Sequence, residues 1–186
     1  MRHAFPLALL AAAAIALVPQ AGAREQRAQG ATRTLVSERK VIRHLLGRIT
    51  VHRDETWRWQ RVMQRRRTPY GASVRRARSV AYGKWALRLW RNRAAEARQR
   101  ARHPPHRREW LCIHRYEGSW RDTGAPYYGG LQMDIEFQAT YGRELLRRKG
   151  TAEHWTPLEQ MWVAERAYRT RGFWPWPNTA RFCGLL

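Results

Sequence analysis

Acidic side chains, cysteines and long apolar runs are what this chain has least of. It carries 14 Asp and Glu against 36 Lys and Arg in 186 residues, a formal net charge of +22 at pH 7. An excess of that size disfavours cationic partners and directs attention to polyanions. After Val18 no segment approaches the roughly 20 apolar residues that a membrane-spanning helix requires, so no transmembrane segment is expected in a mature chain. Two cysteines are too few for a disulfide-dense miniprotein or a thiolate metal site. His103 and His106 flank Pro104-Pro105 without any Asp, Glu or Cys at ligand spacing, and are read as solvated linker histidines. No internal repeat is visible. Neither a metal nor a cofactor is implied.

What is present begins with an export signal. Met1-Arg2-His3 is a positive start, Phe5 to Val18 an apolar run, and Ala21-Gly22-Ala23 a small-x-small cleavage pattern. Residues 1–23 read as a secretory signal peptide, with the mature chain starting near Arg24 and the protein secreted. In an oxidising compartment two cysteines are most simply one disulfide, Cys112–Cys183. It would close a loop of about 70 residues, which the chain-entropy account credits with about 4 kcal/mol.

The charge is unevenly distributed. Residues 24–108 hold 25 basic and 5 acidic side chains, whereas residues 109–186 hold 10 and 9. Within the basic region Leu35, Val36, Val41, Ile42, Leu45, Leu46 and Ile49 recur at helical spacing. A second series, from Val74, Ala77 and Val80 through Trp85, Leu89 and Trp90, continues to Arg102 and stops at Pro104-Pro105. Trp57 and Trp59 lie between the two, and Thr68-Pro69-Tyr70-Gly71 reads as a turn. The tryptophans are assigned to helix packing rather than to a glycan-binding platform. This is a basic α-helical region with a linker, over 24–108.

The second part, 109–186, has its own punctuation. Trp110, Ile113 and Glu117 share one helix face, and Gly118 ends that helix. Asp122-Thr123-Gly124 and Gly129-Gly130 are turn chemistry around a short, hairpin-like connection. A helix restarts at Asp134 and is interrupted at Gly142. Thr156 as N-cap, Pro157 at the first helical position and Glu159 as the return partner define the start of the best-signalled helix, which Gly172 closes. Phe173-Trp174-Pro175-Trp176-Pro177-Asn178 is read as irregular chain covering the core.

The order of these parts resembles the catalytic domain of resuscitation-promoting factors, secreted actinobacterial wall enzymes with a lysozyme-like fold related to lytic transglycosylases. The resemblance rests on the helix ending in Glu117, Trp120, Asp122-Thr123-Gly124, the Tyr127-Tyr128-Gly129-Gly130-Leu131-Gln132 run, and Trp174-Pro-Trp-Pro177 before Cys183-Gly184. It covers about residues 109–186. The family has a cysteine directly before the glutamate; here Tyr116 holds that place and Cys112 lies about one helical turn earlier. The resemblance implies a mainly α fold, α+β lysozyme-like, in a small catalytic domain with one disulfide. It also implies a peptidoglycan-cleaving enzyme, lytic transglycosylase or muramidase, acting on the β-1,4 bond between N-acetylmuramic acid and N-acetylglucosamine. Glu117 would be the single catalytic acid, and Thr123, Tyr128, Gln132 and Trp120 would hold substrate.

Glycoside cleavage needs a proton donor for the leaving oxygen, which an apolar setting favours; Tyr116 and Trp120 are the neighbours in sequence that could supply one. Glycosidases of the usual kind use two carboxylates, and Asp122, Asp134 and Glu136 follow no spacing that singles one out. A lytic transglycosylase instead uses its one acid again as base while the sugar's own 6-hydroxyl attacks. Gly129 and Gly130 are read as allowing close approach of a glycan strand. The expected partners are peptidoglycan glycan strands and, through the basic region, anionic wall polymers, with the protein wall-associated. A non-catalytic wall-binding or structural protein is the alternative. A DNA-compacting protein conflicts with the export signal, and no specific nucleic acid is expected.

Overall fold

The computed structural model describes residues 21–71 and 79–186, which are mainly helical. Residues 1–20 of the expected signal peptide, and Val74 and Ala77 of the second basic helix, lie outside the described residues. The helices are α1 (Ala21–Val62), α2 (Val80–Ala101), α3 (Arg107–Glu117), α4 (Ile135–Tyr141), α5 (Arg143–Lys149), α6 (Pro157–Arg171) and α7 (Pro177–Phe182), with a 3-10 turn at Ala152–His154. Among the described residues the strand content is one antiparallel bridge, Tyr128 to Met133, whose backbone hydrogen bonds are 3.1 and 3.0 Å. The hairpin-like connection is therefore present in miniature, and no sheet accompanies it among the described residues. No helix among the described residues is long and apolar enough to cross a membrane.

Two compact units divide the chain, residues 1–41 and 42–186. In the first, residues 21–41 are helical, and Leu35 and Val36 are 55% and 61% exposed. The apolar face read from Leu35 onward is thus open over its first turns. Later positions of the same pattern, Leu45 and Ile49, are buried in the second unit.

The second unit has three apolar clusters. Ile49, Ala86 and Trp90 join α1 to α2, with Tyr70 and Tyr82 alongside. Trp57, Tyr70 and Trp90 meet edge to face at 5.7–6.4 Å, and Trp57 donates its indole N–H to the Thr68 carbonyl at 2.8 Å. Trp59, Val62 and Met63 meet Ala97, Ala101 and Trp162 in a second cluster that joins α1 and α2 to α6. These tryptophans pack helices, as read from the sequence. The third and largest cluster holds Trp110, Ile113, Leu131, Met133, Phe137, Trp155, Val163, Phe173 and Trp176.

The helix signals act as their chemistry requires. Thr156 accepts from the Glu159 N–H while the Glu159 carboxylate accepts from the Thr156 N–H, with Pro157 in the first turn. Asp134 caps α4 by accepting from Phe137 N–H at 2.6 Å. Burial works against the charge on Glu159, yet Lys149 at 2.6–2.8 Å and the Thr156 N–H hold its carboxyl below its ordinary value of 4.5.

Two readings are corrected. His106 is no solvated linker: its N–H and Nδ1 meet the buried Glu165 carboxylate at 2.7 and 3.1 Å, and its ring lies 3.9 Å from that of Tyr168. Glu165 also accepts from the Trp110 indole at 2.8 Å, so one buried carboxylate fastens the start of α3 to α6. The segment after Phe173 is not wholly irregular either, since α7 begins at Pro177, where proline's fixed φ suits a first helical position.

Candidate functional site

Glu117 is the last residue of α3, half-buried, while Trp110 and Ile113 on the same helix are fully buried. The core-facing residues orient α3, and the acid emerges where that face meets the surface. Gly118 follows at φ +130°, a backbone conformation that suits glycine, and its N–H bonds to the His114 carbonyl at 3.2 Å. Glu117 has a polar partner: the Thr179 hydroxyl of α7 donates to its Oε1 at 2.7 Å. Tyr116, one of the two aromatics expected beside the acid, is 54% exposed and lies against Phe182 at 5.6 Å.

The disulfide brings α7 to α3. Cys112 and Cys183 are bonded, with Cα atoms 6.0 Å apart. Moving five residues forward from Cys112 reaches Glu117, and moving four back from Cys183 reaches Thr179. The two helices therefore run antiparallel in this register, with Tyr116 opposite Phe182 in between.

Of the residues expected to hold substrate, Gln132 stands beside Gly118, the residue after Glu117. Its side-chain N–H groups donate to Asp122 Oδ2 at 2.7 Å and to the Gly129 carbonyl at 3.0 Å, and its φ is +46°. A methyl group placed on Gly118 would lie 3.5 Å from Asp122 Oδ2 and 3.9 Å from Gln132 Nε2. Asp122 also accepts from Gly124 N–H at 3.0 Å, as its turn pattern requires. Thr123 is exposed in that turn. Tyr128 supplies the backbone bridge to Met133 and packs against the main core. Trp120 stacks on His114 with ring centroids 3.9 Å apart and lines a cavity of about 500 Å³ with Leu111, Leu158 and Met161.

Gly129 and Gly130 do allow a close approach, but the groups that approach are the protein's own. Both are buried. A Cβ on Gly129 would meet Gln160 Oε1 at 2.6 Å, and one on Gly130 would meet His114 Nδ1 at 2.6 Å and Trp120 Cε3 at 2.8 Å. Gln160 is the residue that sequence reasoning missed. Fully buried on α6, it accepts from Gly130 N–H at 2.9 Å and donates to the carbonyls of Trp120 and Ala152 at 2.8 Å. Its position in the α6 pattern marks burial but not this use.

Cavities of about 400 and 290 Å³ lie elsewhere in the second unit. Among the described residues no group of three or more His, Cys, Asp or Glu is placed to hold a metal ion. Compared with known proteins, the chain has no significant match to a family model, a curated protein or a solved structure.

Proposed function

We propose that this chain is a secreted enzyme that cleaves peptidoglycan, a lytic transglycosylase or muramidase, and that residues 109–186 form its lysozyme-like catalytic domain. The scissile link is the β-1,4 bond between N-acetylmuramic acid and N-acetylglucosamine. Glu117 delivers a proton to the leaving oxygen and then, as carboxylate, takes one from the attacking group. That group is the sugar's own 6-hydroxyl, giving a 1,6-anhydro product, or a water molecule, giving a reducing end.

The observation that carries this reading is the setting of Glu117 at the end of α3, where the Thr179 hydroxyl donates to Oε1. An oxygen that accepts in this way leaves Oε2 to carry the acidic proton toward substrate. Asp122 supports a one-acid route. Both of its oxygens are engaged, by Gly124 N–H and by Gln132, so it serves the loop rather than standing as a second free carboxylate. Gln132, Thr123, Tyr128 and Trp120 are assigned to substrate holding. The basic residues of 24–108 retain the protein on anionic wall polymers through salt-dependent attraction.

The test is mass spectrometry of sacculi digested with the full chain and with Glu117→Gln. Soluble muropeptides from wild type only are expected, and the anhydro or reducing ends among them report the route. A second reading is a wall-binding protein without catalysis. It takes over when wild type binds sacculi and solubilises nothing.

A further inference from the structure

The cavity of about 400 Å³ lies between the end of α1, the α4–α5 segment and α6. Its wall is unusually rich in cations. Arg58 and Arg61 come from α1, Arg143, Arg147, Arg148 and Lys149 from α5, and Arg166 from α6, against two carboxylates, Glu144 and Glu159. Those two are already committed. Glu144 is shared between Arg61 at 3.2 Å and Arg148 at 3.4 Å, and Glu159 is held by Lys149 at 2.6 Å. Among the described residues Arg58, Arg143 and Arg147 take part in no ion pair.

Arg166 shows the same surplus from within. Its guanidinium bonds to backbone carbonyls alone, Tyr141 at 2.6 Å and Val62 at 2.7 Å, and its Nε is buried without a partner. Burial, and then the nearby Arg169, hold it below the ordinary guanidinium range, with Glu144 opposing them. Like charges gathered around one concave surface repel, and an anion seated there relieves the repulsion. Guanidinium forks favour flat or tetrahedral oxyanions over halides. A cavity of this size is in the range that holds small organic ligands, and Leu145, Tyr141 and Val62 give it apolar wall beside the charges.

We propose that this cavity is a binding site for a phosphate ester carried on a sugar-sized or polyol-sized body, either a free sugar phosphate or one unit of a polyol-phosphate polymer. The site is separate from Glu117, so its fate does not depend on the glycan-cleavage reading.

The experiment is calorimetric titration of the full chain with N-acetylglucosamine 6-phosphate, glycerol 3-phosphate and poly(glycerol phosphate). N-acetylglucosamine, glycerol and inorganic phosphate serve as controls. The phosphate esters are expected to bind at least tenfold more tightly than the neutral compounds and than inorganic phosphate. The ratio of monomer to polymer affinity, per phosphate, tells the two sources apart. Arg143→Gln with Arg147→Gln removes two exposed cations that take part in no ion pair. It is expected to weaken binding at least tenfold with the melting temperature unchanged, whereas Arg88→Gln, outside the cavity, leaves affinity as it was. Glu144→Gln frees Arg61 and Arg148, and a severalfold gain in affinity is expected. Neutral sugars binding as well as their phosphates, equal loss in the Arg88 control, or no gain in Glu144→Gln overturns the proposal.

Discussion

The Thr179 hydroxyl donates to Glu117 Oε1 at 2.7 Å across 62 residues of sequence, and the Cys112–Cys183 bond fixes the register in which the two meet. A hydroxyl there engages one of the two carboxyl oxygens in a hydrogen bond. It also ties the proposed acid to α7, an element with no other evident part in the chemistry.

For the acid itself, Glu117→Gln is expected to reduce muropeptide release by about 10²–10⁴-fold, the span usual for one general acid, with thermal stability little changed. Thr179→Val should lower kcat by about tenfold at unchanged KM, and Thr179→Ser should restore it. A Thr179→Val enzyme with full kcat would show that the hydroxyl has no part in orienting Glu117.

Gly130→Ala sets a methyl group 2.6 Å from His114 Nδ1 and 2.9 Å from the Trp120 Cα. Overpacking of this kind costs about 1–3 kcal/mol, read as a lowered denaturation midpoint. Gln160→Met tests the same loop from the other side. It leaves the Gly130 N–H and the Trp120 and Ala152 carbonyls without their partner, and a loss of about 2–4 kcal/mol is expected from unpaired buried groups. Equal stability of Gly130→Ala would mean that the loop does not pack against His114 and Trp120 as described, and equal stability of Gln160→Met that it does not rest on α6.

Glu159 gives a pH dependence with a definite sign. Its carboxyl is held below 4.5, so its ionised contacts contribute stability in full above that value and lose it as pH falls through the lowered folded value. Glu159→Gln should cost about 1–3 kcal/mol near neutrality, and the gap to wild type should narrow steadily in acid. Thermal unfolding of both proteins across that range measures the gap; a constant difference would contradict the assignment.

Replacing Cys112 and Cys183 with alanine should cost about 2–5 kcal/mol. It should also lower activity beyond what partial unfolding explains, because α7 then no longer presents Thr179. Melting curves with and without reductant, paired with muropeptide release, separate the two effects.

Much of the local structure is legible in the sequence. The Thr156-Pro157-Glu159 start of α6, the Asp134 cap, the Gly118 stop and the single disulfide all follow from chemistry within a few residues or from counting to two. The misread positions share one cause. Read along the chain alone, His106 is a linker histidine, the two glycines are a path for a glycan strand, and Tyr116 is a neighbour that could give the acid an apolar setting. Each depends on what another segment places opposite, namely Glu165, Gln160 with His114 and Trp120, and Phe182.

By itself the sequence determined the start of α6, the start of α4, the stop of α3, the excess of arginine and the position of an acid at a helix end, because these depend on spacing and composition along one stretch of chain. Tertiary structure alone decided that Arg166 lies against the carbonyl of Val62, 104 residues away, that arginines from α1 and α5 share one cavity, and that Thr179 meets Glu117. Helical periodicity says which face of each helix is apolar, but the pairing of faces is settled by packing the whole set at once. The groups left at the seams acquire their partners only then.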